Sequence, residues 1–170
     1  MRAVHYFPDP DEIGPFGPAF LRLMFAHADL ERRVVDLQDA ITGKPGFGEQ
    51  NQWKLHERPK RMKRLIHDNK ARLGTMPPQE LQRIVSTLKR SVSPCDLRNL
   101  LAHGHWWEFN SDTYSIKVRR GKLAKRPVQD WHVTVTVDEI SRAEIELTDI
   151  EAELYQLQKA IEDRLAAGAS

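Results

Sequence analysis

The stretch Asp138–Ile161, DEISRAEIELTDIEAELYQLQKAI, places Ile140, Ala143, Leu147, Ile150, Leu154, Leu157 and Ile161 at alternating spacings of three and four. This pattern draws one apolar stripe along an α-helix and holds it for three heptads. With a rise of 1.5 Å per residue, a helix over residues 138–166 would run on the order of 40 Å, long enough to span a domain. Such a stripe either closes an antiparallel bundle within the chain or forms a seam between two chains.

The first half of the chain carries a matching stripe. Phe20, Leu23, His27, Leu30, Val34, Leu37 and Ile41 alternate in the same way and predict a helix from near Pro18 to Gly43. His27 lies inside that stripe, where a hydrogen-bonded core histidine is the favoured reading. Residues 1–17, rich in proline, glycine and acids in their second half, read as an N-terminal arm. TGKPGFGEQNQW, from Thr42 to Trp53, is a glycine-rich loop whose order does not match the GxxxxGK[ST] phosphate cradle. Trp53–Leu73 holds eight Lys/Arg against two acids and predicts a helix with one strongly basic face, ended by Gly74. Pro77-Pro78 opens a further helix whose Leu81, Ile84, Val85, Leu88 and Val92 form a structural stripe.

Between this run of helices and the last one, the period changes to two. Trp106–Asn110, Tyr114-Ile116-Val118 and Trp131-Val133-Val135-Val137 predict a small antiparallel β insertion over residues 106–137. Within it, Arg119, Arg120, Lys122, Lys125 and Arg126 crowd around Gly121, either as a solvated loop or as a contact for a nucleic-acid backbone.

The residues that carry chemistry stand just before the insertion, in SPCDLRNLLAHGHWW, Ser93–Trp107. Ser93 as N-cap, Pro94 at the first helical position and Asp96 as a capping acid predict a short helix, stopped by Gly104. Leu97, Leu100 and Leu101 share one face; Asp96, Asn99 and His103 line another, flanked by Arg98. Cleaving RNA without a metal requires proton transfer at the 2′-hydroxyl and the leaving oxygen, and positive charge on the phosphate. His103 exchanges protons near neutral pH, Arg98 offers a planar fork to phosphate oxygens, and Asn99 can bond either the imidazole or the substrate. One histidine must then act twice, or a second copy of the helix must join it. The competing reading pairs Arg98 with an acid such as Asp29 or Glu31, and leaves Asn99 and His103 as structural groups. A metal site built from His103, His105, Glu108 and His132 lacks HExxH or paired-cysteine spacing and is not expected. Trp106 and Trp107 suit either base stacking or a core.

RNLLAH, Arg98–His103, resembles the R-x4-6-H signature of the HEPN superfamily. The resemblance implies a mainly α fold, an antiparallel helical bundle, from which the small β-hairpin or three-stranded insertion after the motif helix and the long acidic final helix depart. It further implies a homodimer whose paired motifs form one RNA-cutting cleft, with Arg98 on the phosphate, Asn99 in support and His103 as the catalytic histidine. A toxin or defence role fits this, with RNA as substrate and an antitoxin or regulatory protein as a further partner. Its alternative is a non-catalytic HEPN-like module that binds RNA or protein.

Composition sets the outer bounds. The chain has 170 residues, 40% hydrophobic and 29% charged, as expected of one globular domain over residues 1–170. Its net charge of +2 is uneven: Asp138–Ser170 contains nine acids and three Lys/Arg. Cys95 is the sole cysteine, which excludes an intrachain disulfide and suits a reducing cytoplasm. No cofactor or metal is expected, and no apolar run is long enough to span a membrane.

Overall fold

Both long stripes become buried helical faces. A computed structural model describes residues 14–110, 113, 115–119 and 132–168, with positions 105, 107–109, 119 and 132 described by backbone alone. Helix α1 spans Phe16–Thr42, and on it Leu23, His27, Leu30, Val34, Leu37 and Ile41 are buried while Phe20 is half-buried. The final helix, Val137–Ala167, buries all seven of its stripe positions from Ile140 to Ile161. The protein is therefore mainly helical, with a small antiparallel sheet, and no described helix is long and apolar enough to cross a membrane.

The described residues fall into two compact units. One comprises those within Met1–His27 and Ser93–Ile145; the other comprises those within Ala28–Val92 and Glu146–Ser170.

The second unit contains the end of α1, a short helix α2 (Phe47–Gln50), α3 (Arg58–Asp68), α4 (Pro78–Arg90) and the end of the final helix. Gly43 ends α1 in the left-handed region at φ 67°, where glycine carries no Cβ penalty. The glycine-rich loop then folds onto α1 itself. Asp39 Oδ2 accepts the Gly46 amide at 2.6 Å and Asp39 Oδ1 accepts the Gly48 amide at 2.7 Å. Amides that a phosphate loop would offer to a ligand are thus taken by a carboxylate of the same chain. Gly48 also lies against α1, so that a Cβ there would sit 2.5 Å from the Val35 carbonyl oxygen.

The basic segment is shorter and less regular than its charge pattern predicts. A 3-10 turn at Leu55–Glu57 precedes α3, and turns follow from Asn69 onward, so the expected continuous helix over Trp53–Leu73 is broken at both ends. Pro59 near the start of α3 accounts for one break, since proline is tolerated only in a first turn. Lys60, Arg61, Lys63 and Arg64 are exposed, whereas Arg58 is buried and bonds to Glu31. Helix α4 starts with a proline, carries Glu80 in its first turn and Lys89 and Arg90 in its last, each matched to the helix dipole.

Ion pairs fix α4 to the final helix. Arg164 contacts Glu80 at 2.9 Å, Arg90 contacts Glu153 at 2.8 Å, and Arg83 reaches the same Glu153 carboxylate. Because Glu80 meets Arg164 and Arg90 meets Glu153, the two helices run antiparallel. Arg33 on α1 adds a bond to Glu151 at 2.8 Å and one to Gln158 at 3.0 Å, and its guanidinium stacks 4.6 Å from the centre of the Tyr155 ring.

In the first unit, strands β1 (His105–Asn110), β2 (Ser115–Arg119) and β3 (His132–Thr136) form an antiparallel sheet in that order. A register shift between Trp106 and Glu108 interrupts the first pairing. Ile116, Val118 and Val135 are buried, giving the sheet an apolar face. The final helix, hereafter α6, follows β3 directly: Glu139 Oε2 accepts the Thr136 amide at 2.8 Å and Thr136 Oγ1 accepts the Glu139 amide at 3.3 Å. This reciprocal capping box ends β3 and starts α6 at Val137, one residue earlier than the alternation of Val133, Val135 and Val137 predicts.

Two measurements test these supports. Gly48→Ala should lower stability by about 1–3 kcal/mol in urea unfolding, because the backbone at Val35 has no flexible end to yield. Glu153 supplies a pH signature. Burial raises its pKa, but hydrogen bonds from Arg83, Arg90 and Thr87 and the charge of Arg83 outweigh that and hold the carboxyl below its ordinary value. A lowered folded-state pKa stabilises the fold above the unfolded-state value, and this contribution disappears as pH falls through the lowered one. Glu153→Gln should therefore cost ~1 kcal/mol at neutral pH, with the melting-temperature gap to wild type closing in acid.

Candidate functional site

The motif helix α5, Val92–His103, is separated from the end of α4 by the single residue Ser91. Ser91 makes that break: its hydroxyl donates to the Leu88 carbonyl at 2.8 Å, and the residue is fully buried. Ser93, expected as the N-cap, lies exposed within the first turn instead. The cap reading fails because Ser91 already closes the preceding helix and Val92 is helical. Pro94 remains well placed, since a first-turn amide has no intrahelical partner to lose. Pro94, Cys95 and Leu101 are buried, and Leu97 and Leu100 are half-buried, so the leucine face points to the interior as the spacing predicts.

The other end of α5 is held by an aromatic clamp. Gly104 donates its amide to the Leu100 carbonyl at 2.8 Å, and Trp106 Nε1 donates to the Leu101 carbonyl at 2.8 Å. The Trp106 ring meets Phe16 and Phe20 edge-on, with centroids 5.5 and 5.6 Å apart. One side chain thereby satisfies an orphan helix carbonyl and anchors the helix end to the first turns of α1. Trp106 is thus spent inside the protein. The side chain of Trp107 lies outside the described residues.

On this anchored helix Arg98 and Asn99 are half-buried and His103 is exposed. Arg98 Nη1 donates to Asn99 Oδ1 at 3.0 Å. Arg98 Nε is buried and has no hydrogen-bond partner among the described residues. Asp29 and Glu31, the example acids for a structural pair with Arg98, bond to Arg32 and Arg58 respectively. Arg33, Arg58 and Arg164, the other described arginines with buried or half-buried side chains, each contact a carboxylate. Among the described residues no salt bridge reaches Arg98. Asn99 and His103 lie one turn apart on one face, so the Arg98–Asn99 bond ties the guanidinium to the histidine's side of the helix.

Beyond Gly104 the sheet register aligns further candidates. His105 pairs with Arg119, and Arg119 pairs with His132, putting all three on a single rung immediately after the motif helix. Sequence spacing cannot show this, because the register depends on where the bulge falls. Arg119, proposed with the basic loop, is therefore a strand residue. Arg120, Lys122, Lys125 and Arg126 lie outside the described residues. Among the described residues no group of three or more His, Cys, Asp or Glu side chains is gathered to hold a metal ion. The side chains of His105, Glu108 and His132 fall outside that description.

Comparison of the chain with family models, with curated proteins and with solved structures gives no match.

Chemically, the helix offers a half-buried guanidinium, an amide bonded to it, and an accessible imidazole at the negative end of a helix dipole. These are parts suited to an anion whose reaction involves proton transfer. Their precision rests on the clamp. Trp106→Phe should keep the ring contacts but lose the bond to Leu101, lowering stability by ~1 kcal/mol in thermal unfolding.

Proposed function

We propose that this chain is a HEPN-like, metal-independent endoribonuclease that acts as a homodimer through Arg98, Asn99 and His103. The antiparallel bundle of that class is part of the same reading. The observation that carries it is the state of Arg98, a half-buried side chain bonded to an asparagine, with a buried Nε lacking a partner and no carboxylate upon it among the described residues. A buried donor left without a partner is costly, and an arginine with no carboxylate upon it leaves its charge open to an anionic ligand. A phosphodiester supplies the anion, and the planar guanidinium fork matches its oxygens.

In this reading, Arg98 binds the scissile phosphate and Asn99 fixes the guanidinium plane. A histidine takes the proton from the ribose 2′-hydroxyl, and the freed oxygen bonds to phosphorus. The bond from phosphorus to the 5′-oxygen breaks, and a protonated histidine gives that oxygen its proton. The products are a 2′,3′-cyclic phosphate and a 5′-hydroxyl, and no metal takes part. His103 supplies one of the two proton-transfer groups, and the partner's copy of the same motif supplies the other.

Purified protein in EDTA should cleave single-stranded RNA, and His103→Ala should lower the rate by at least about a hundredfold with unchanged circular dichroism, since His103 is exposed. Arg98→Ala should weaken both binding and cleavage, with Arg98→Lys restoring part of the binding only. Cleavage that survives His103→Ala would end the proposal. Salt-sensitive binding of RNA without cleavage would mark a binding module instead.

A further inference from the structure

Away from the motif helix, in the second unit, α4 does not bury its apolar stripe evenly. Ile84 and Leu88 are fully buried, while Leu81 and Val85, one turn apart, stay half-exposed. These two form one wall of a groove of about 700 Å³ between α3 and α4. Ile66, Leu73 and Met76 complete its apolar lining. Around that lining stand Lys63, Lys70 and Lys89, all exposed, and among the described residues no acid lines the groove. His67 joins the rim beside Asp68, its Nδ1 3.5 Å from that carboxylate.

The groove's shape and charge together limit what it can hold. Small-molecule sites enclose most of their ligand, and this groove is open along one side. A helix laid in a groove buries only one face and leaves the rest in water. An apolar lining adds nothing to binding a nucleic-acid backbone, which needs only the lysines. Lysines on both walls, with no acid between them, complement carboxylates flanking an apolar face.

We propose that the groove between α3 and α4 docks one amphipathic helix of a partner protein, apolar on its inward face and acidic along its flanks. Leu81 and Val85 receive the apolar face, and Lys63, Lys70 and Lys89 meet the flanking carboxylates. This stands on its own residues and does not require the nuclease reading.

The test is a display selection on the full-length chain, using helical peptides with leucine fixed at i, i+3, i+4 and i+7 and the flanking positions randomised among Glu, Gln and Lys. Recovered peptides should carry Glu on their flanks and bind Val85→Glu at least about tenfold more weakly. The double variant Lys63→Glu/Lys89→Glu changes only exposed positions, and on it the selection should turn toward Lys-flanked peptides. Circular dichroism of both variants checks folding. Recovery without a charge preference, binding unaffected by Val85→Glu, or no recovery would each overturn the proposal. So would a groove that takes no peptide but binds a polyuridine oligonucleotide through Lys63 and Lys89.

Discussion

The rest of the fold depends on the apolar stripe of α6. Seven side chains from Ile140 to Ile161 are withdrawn from water at spacings that only an α-helix satisfies. Each fully buried Leu or Ile contributes roughly 1.5–3 kcal/mol, so a helix that failed to bury this face would forfeit more than a domain's usual net stability. The stripe also fixes which way the remaining side chains point, and that decides the electrostatics. With the apolar positions inward, Glu151 and Glu153 lie at the margins of the face, where arginines from α1 and α4 reach them.

This changes the meaning of the charge asymmetry. An acidic C-terminal segment beside a basic remainder suggests two surfaces meant for different partners. Part of that acidity is instead consumed within the protein, by Arg33, Arg83 and Arg90, while Arg164 returns the favour by holding Glu80. Among the described residues, cations outside these pairs include the exposed lysines around α3 and α4 and, in a different sense, the half-buried Arg98. Surface lysines are solvated and lose little by waiting for a ligand. A buried Nε without a partner is costly, which sets this one arginine apart from the solvated basic segment.

Periodicity made much of this architecture readable from the residues. The two long helices and the strands after the motif follow from spacings of three and four and of two, because side-chain direction is tied to backbone period. Boundaries were less legible, since they depend on competition between neighbours. Ser93 has the chemistry of a cap, but Ser91 closes the preceding helix first; Thr136 and Glu139 form a true capping box that the valine alternation obscured. At the candidate site, the types of Arg98, Asn99 and His103 were visible, while the bond from Arg98 to Asn99, the Trp106 clamp and the rung joining His105, Arg119 and His132 were not. Those features arise from tertiary contacts and strand register, which no local pattern encodes. The α4 stripe shows the same limit, because apolar spacing marks a face without telling how much of it will be covered.

The way the chain is threaded has a consequence for its birth on the ribosome. Each unit draws on two separated segments, one completed only at Ile145 and the other only with residues beyond it. Neither can be finished from the helices before Ser93 alone, and no single cut separates the two units whole. During synthesis the early helices must therefore wait, their apolar faces open to chaperones or to premature association, until the last third of the chain emerges. The motif helix, Val92–His103, gains its finished surroundings only after the three strands and the start of α6 have followed it.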